Sequence, residues 1–258
     1  MRQSTPRAEV DEPLVTRPTE AWSLADIVHC LEEEIALGLL RPRERLVEDD
    51  LLERFDVKRH VVRQVLAELE MMGMVTRRPN RGATVRDFTT IEVEQIYFVR
   101  DVLERAAVEV MPLPVAPDVV RTLERLHAQH CEAVRAARLR DVFRLNLELH
   151  QTFFDACGNV PLTEAISQLA FKAHAIQSYT IANPALLARV CKEHAQLVKL
   201  CRGTDRQALI DLVAKHKLPA KTAYLDVSRR IEGHVEDPRQ AAGPPSDAAP
   251  ARKRAPRR

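Results

Sequence analysis

From Ile91 to about residue 230 the chain repeats apolar residues at helical spacing and interrupts them only at marked breaks, a pattern that restricts its fold more than any other. Pro112 and Pro114 close a first segment, and Gly158 and Asn159 before Pro161 close a third. Asn183 and Pro184 separate a fourth from a fifth, and Gly203 and Thr204 open a sixth. The spacing predicts six helices at about 90–111, 117–137, 139–157, 161–181, 184–201 and 204–230. Stripes such as Phe143, Leu147 and Phe154, or Leu209, Leu212 and Val213, give them faces to bury, so an all-α bundle follows. Only 7 Gly and 4% aromatic residues among 258 argue against sandwiches, barrels and glycine-looped nucleotide folds. The length suits two domains of roughly 100–150 residues.

No apolar run reaches the roughly 18 residues of a membrane span. The polar start MRQSTPRAEVDEP lacks the apolar stretch of an export signal, so a cytoplasmic chain with no membrane partner is expected. Five cysteines (Cys30, Cys131, Cys157, Cys191, Cys201), odd in number and without a CxxC pair, suit reduced thiols. Residues 1–20 and 233–258 are rich in Pro, Ala and charge; a flexible N-terminus and a disordered basic tail are expected there. The tail ends RKRAPRR, read first as a solvated end and second as a weak phosphate contact.

The net charge of +2 names no partner, but it is a cancellation. Ala21 to Val57 holds 4 Lys/Arg against 10 Asp/Glu, whereas Lys58 to Arg86 holds 7 against 2. Within residues 21–88, Leu24, Ile27, Val28, Leu31 and Ile35 predict a first helix ending at Gly38, and a second is expected from about Glu48 to Phe55. RHVVRQVLAELEMMG then places Val62, Val65, Leu66, Leu69 and Met72 on one face and Arg59, Arg63 and Ala67 on another, flanked by His60 and Gln64. A long basic pair near a helix start suits entry into a major groove. Met74 to Arg78 and Ala83 to Arg86 can pair as a hairpin across Pro79, Asn80, Arg81 and Gly82, with Gly82 giving the turn its freedom. The order predicts an N-terminal winged helix-turn-helix; the plainer alternative is a three-helix domain with solvated arginines.

DVKRHVVRQVLAELEMMGMVTRRPNRGATV resembles the GntR family's recognition helix and wing, V-S-R-x-P-V-R-x-A-L followed by P-x-R-G-x-x-V. IALGLLRPRERLVEDDLLERF is similar to the stretch that precedes them in that family. The resemblance implies DNA contacts from Lys58, Arg59, His60, Arg63, Gln64, Arg81 and Gly82. Three residues depart from the pattern: Lys58 replaces the capping Ser or Thr, Val61 replaces the first-turn Pro, and Asp49 stands where some relatives carry a DNA-contacting Arg.

In the bundle, residues 89–232, Asn146 and His150 lie four apart on one helical face, His194 falls on the fifth helix and His216 on the sixth. Three imidazoles and a carbonyl oxygen could hold Zn, Ni or a similar divalent ion; on spacing alone, separate surface or core histidines are the stronger reading. His127, His130 and Cys131, and Cys191 before His194, draw alternative clusters, and His174 could reach a pocket or be a satisfied core side chain. YFVRDVLERAAVE, LNLELHQTFFDACGN and KEHAQLVKLCRGTDRQALIDLVAKH resemble the FCD effector domain of the FadR subfamily, with six helices pointing to its VanR-type group. That resemblance implies a metal site at Asn146, His150, His194 and His216, with Asn in place of the commoner Asp. It also implies a small carboxylate effector, a palindromic double-stranded operator, a homodimer and, as the commoner sign, repression. Arg100 is the candidate to pair with the effector, the alternative being an ion pair with Glu104. An enzyme needs an acid or base beside the metal, and Glu148 and Glu193 are expected to point away. A bundle that only dimerises is the remaining alternative.

Overall fold

The computed structural model describes residues 21–78, 82–181 and 183–235. The expectations for 1–20, for Arg81 and for the tail from 236 onward lie outside the described residues. The first helix, α1 (Leu24–Ala36), starts where Ser23 accepts from the Asp26 N–H while the Asp26 carboxylate takes the Ser23 N–H. Helix α2 (Glu48–Phe55) ends at Asp56, whose φ of 52° makes the tight turn into α3 (Arg59–Met71). Lys58 precedes α3 with no side-chain cap bond, as its departure from the capping residue predicts.

Behind α3, strands β2 (Val75–Arg78) and β3 (Gly82–Val85) pair antiparallel as the predicted hairpin, with Val75 opposite Val85 and Arg78 opposite Gly82. A two-residue strand not foreseen from the sequence, β1 (Arg45–Leu46), pairs with β3 and completes a three-stranded sheet in the order β1-β3-β2. Gly82 has a φ of 75°, and a Cβ there would run into the carbonyl oxygen of Leu46, so the wing passes β1 only without a side chain.

The bundle comprises α4 (Thr90–Val110), α5 (Pro117–Arg135), α6 (Leu139–Asp155), α7 (Val160–Ile181), α8 (Pro184–Cys201), α9 (Arg206–His216) and α10 (Leu218–Val235). Thr89 and Glu92 cap α4 reciprocally, Asn183 caps α8 ahead of Pro184, and Asp205 caps α9. The helix expected over 204–230 is divided at Lys217. Pro219 lacks the N–H that would bond back to Lys215 and its ring crowds that carbonyl, so the chain restarts as α10. Helix α10 runs on through 233–235, three residues beyond the expected start of the tail.

Two cores result. One gathers Leu123, Leu126, Leu149, Phe153, Leu197 and Leu209 inside the bundle. The other begins with Leu31, Phe55, Val65 and Leu69 and continues through Phe88 into Val93, Tyr97, Ile176 and Tyr224. Phe88, where the domain boundary is expected, lies between β3 and α4; its N–H donates to the Tyr224 hydroxyl, which donates to Asp87. The winged domain is therefore seated on α4, α7 and α10.

Candidate nucleic-acid face and metal centre

Val62, Val65, Leu66 and Leu69 hold α3 against its core, which turns Lys58, Arg59, His60, Arg63 and Gln64 to solvent on the opposite face. Two of these five are not free cations. Arg59 bonds Asp49 at 2.7 Å and reaches Glu48 at 3.5 Å, while Arg63 Nε donates to Glu48 at 3.2 Å. The acidic first turn of α2 thus neutralises the arginines of α3. In the wing, Arg77 pairs with Glu70, and Arg86 donates to Glu92 at 2.7 Å while its guanidinium covers the Phe88 ring.

In the bundle, α6, α8 and α9 bring His150, His194 and His216 together. Their ligand atoms all lie within 4.8 Å of one another, with His150 Nε2 and His216 Nε2 3.2 Å apart. Burial first, then the facing His216, holds His150 and His194 well below the ordinary pKa near 6.5, so both imidazoles stay neutral with a lone pair to offer. His194 is fully buried and neither of its ring nitrogens has a hydrogen-bond partner. A buried imidazole without partners is costly unless something ligates it. These residues fit a divalent ion of borderline softness.

Glu193 does not point away. Its Oε2 lies 2.7 Å from His216 Nδ1, which directs His216 Nε2 to the centre, while Oε1 accepts from Arg189. This corrects the expectation for Glu193 and adds a residue that sequence spacing missed. Glu148 lies within ion-pair reach of Arg125 at 3.8 Å.

His150 and His216 line a cavity of about 650 Å³, and so does Asn146, one turn before His150. Arg100 and Lys217 line the same cavity, and both pair with the buried Glu104: Arg100 Nε at 2.9 Å and Lys217 Nζ at 3.0 Å. The alternative reading of Arg100, the ion pair with Glu104, is present, while its Nη1 is buried without a partner. Lys217, at the break between α9 and α10, also reaches Asp101 at 3.0 Å. Proline 219 was the available signal for Lys217; the sequence expectation ran the helix through it.

The winged domain contributes His29 of α1 to the cavity wall, beside Arg144 of α6 and His174 of α7. His174 Nδ1 sits 3.0 Å from Glu32, and Arg144 clasps Glu33, with Nη2 to Oε2 at 3.1 Å. His174 is therefore both a cavity residue and a satisfied buried one.

Residues 24–85 match the family described as bacterial regulatory proteins, gntR family, and residues 95–217 match the FCD domain. The chain is 22% identical over 187 residues to the uncharacterized HTH-type transcriptional regulator YdhC of Bacillus subtilis, covering 72% of this chain and 84% of that one. It is 23% identical over 192 residues to the HTH-type transcriptional repressor RspR of Escherichia coli, covering 74% and 80%. Among solved structures it resembles E. coli McbR/YncC with a TM-score of 0.68 at 19% identity, covering 82% of this chain and 99% of that one. A GntR-type regulator from Rhodococcus sp. RHA1 follows with a TM-score of 0.63 at 20% identity, covering 81% and 97%.

Proposed function

Because the chain belongs to the gntR family of bacterial regulatory proteins and carries an FCD domain, and so is a DNA-binding transcription regulator and not an enzyme, we propose that its bundle senses a small organic acid through a divalent metal. The observation that carries this reading is the convergence of His150, His194 and His216 beside a cavity lined by Arg100 and Lys217. Asn146, His150, His194 and His216 would hold zinc or nickel, which supplies a Lewis-acidic position for an anionic oxygen. Asn146 offers oxygen without charge, so the ion keeps more of its positive charge for the ligand. Arg100 and Lys217 both bond Glu104, Lys217 also reaches Asp101, and the unpartnered Nη1 of Arg100 is the donor left for an acid.

Lys58, Arg59, His60, Arg63, Gln64, Arg81 and Gly82 are the proposed DNA contacts, with α3 entering the major groove. For Arg59 and Arg63 this requires phosphates or guanine edges to replace Glu48 and Asp49. Ile91, Phe98, Val99 and Val102 leave an exposed apolar stripe along α4, which supports a homodimer reading a palindromic operator. The repressor RspR supports repression as the sign, and the work of such a regulator lies in the cytoplasm; no helix among the described residues is long and apolar enough to cross a membrane.

Effector binding can move the equilibrium between DNA-competent and incompetent arrangements only through unequal affinity for the two. Metal analysis of the purified chain, then binding to an operator selected from random duplexes with and without chelator and small carboxylates, tests the reading. Bound divalent metal and an acid-dependent shift, both lost in His150→Ala, are expected. Metal-free protein with ligand-independent binding would identify a bundle that only dimerises.

A further inference from the structure

A second constellation lies beside the three histidines and takes no part in the reading above. His127, His130 and Cys131 fall at i, i+3 and i+4 on α5, which packs against α8, where Cys191 precedes His194 by one turn. His130 Nδ1 lies 3.6 Å from Cys191 Sγ, and the ligand atoms of His130, Cys131 and Cys191 are all within 4.8 Å of one another. Both cysteines are free thiols of intermediate burial. His130 is buried, and its Nε2 has no hydrogen-bond partner. Donors on a tetrahedral zinc ion with bonds of about 2.0–2.3 Å sit roughly 3.3–3.8 Å apart, so the thiol and imidazole need little movement to share one.

We propose that His130, Cys131 and Cys191 form a second metal site, selective for a thiophilic divalent ion such as zinc and separate from the three-histidine centre. His127 Nε2 lies 3.0 Å from the Cys191 carbonyl and 3.3 Å from Cys131 Sγ. It steadies the thiolate side of the site and leaves the fourth position to water or an outside ligand. On binding, each thiol loses its proton and forms a metal–sulfur bond, so one dication releases two protons and the site becomes neutral. The three-imidazole centre offers nitrogen donors in place of thiolates, so the two sites differ in softness. The rings of His130 and His194 are 5.0 Å apart, and an ion joining α5 to α8 fixes the helix that supplies His194.

Cobalt titration of the full chain, with a non-thiol reductant present, separates the sites, since only thiolate ligation gives a sulfur-to-cobalt charge-transfer band. One equivalent of cobalt should develop that band, and zinc should abolish it by displacement. The Cys131→Ser, Cys191→Ser double variant should lose the band and one equivalent of metal, whereas His150→Ala should keep the band. On the unsubstituted chain, zinc should slow alkylation of Cys131 and Cys191 at least tenfold, read by mass spectrometry. Absence of the band, its survival in the double variant, its loss in His150→Ala, or alkylation indifferent to zinc would each overturn the site. The His150-dependent equivalent lacks a sulfur band, so failure there is seen separately.

Discussion

Glu193 shows how much of the proposed metal centre would rest on one side chain outside the ligand set. Its carboxylate takes His216 Nδ1 at 2.7 Å, leaving Nε2 to face His150 and the proposed ion. Glu193→Gln should therefore weaken metal binding by about 10- to 100-fold, the usual cost of losing such a partner, with the helix content unchanged. Isothermal titration with zinc checks this, and an affinity within twofold of the parent would remove Glu193 from the site. At Gly82 the backbone conformation and the Leu46 carbonyl oppose any Cβ. Gly82→Ala should cost about 1–3 kcal/mol of stability, measured by urea unfolding of the full chain. The spacing of Asn146 and His150, and the glycine after a basic turn, were legible because they are local. Glu193 was not, because its partner lies 23 positions away on another helix and helical geometry says only where a side chain starts.

Among the elements, α2 and α3 act as a charge pair. Their residues were legible, and so was the acidic stretch abutting the basic one; that Glu48 and Asp49 would bond Arg59 and Arg63 was not, because the left-handed turn at Asp56 sets the two helices face to face. Asp49, which stands where some relatives carry an Arg, thus engages the proposed contact Arg59 instead. Arg63→Ala should lower operator affinity by about 1–3 kcal/mol, and a phosphate role predicts a salt slope shallower by about one. Glu48→Gln should act oppositely, raising affinity for unrelated duplex DNA at low salt, because Arg63 loses its carboxylate while Arg59 keeps Asp49. Fluorescence anisotropy over a salt series reads both, and an Arg63→Ala chain with unaltered affinity would move the interface off α3. The two elements misjudged from sequence failed for opposite reasons. Strand β1 is only two residues long and exists because β3 offers an edge, whereas the break between α9 and α10 was written in Pro219 but hidden by apolar periodicity continuing across it.

Over the whole molecule, the seam between the winged domain and the bundle joins α1 to the cavity wall. Glu32, Glu33 and Glu34 are all buried on α1, an unusual place for three consecutive carboxylates unless each is paired. Glu34 is paired within the winged domain by Arg54, but Glu32 and Glu33 are paired across the seam by His174 and Arg144. His29 lies over both, 3.7 Å from Glu32 and 3.1 Å from Glu33, and lines the cavity. Bonds to Glu32 and then Glu33 raise the His29 pKa to about 9, against burial, with Asp26 the other acid of this turn. A raised imidazole pKa stabilises the folded seam fully below about 6.5, and that contribution fades as pH rises through 9. Glu32 works in the other direction: burial raises its pKa, but His174 and His29 outweigh burial and hold it at about 2, so its contribution is lost only in strong acid. Between pH 7 and 10 His29 therefore loses its charge. Because half its side chain is exposed, the effect should be modest, no more than about 1 kcal/mol. Hydrogen exchange corrected for intrinsic pH dependence should show α1 amides losing up to fivefold protection over that interval while α5 amides hold steady. His29→Gln should flatten the α1 profile, and if it leaves the alkaline loss intact, the seam is not governed by this histidine.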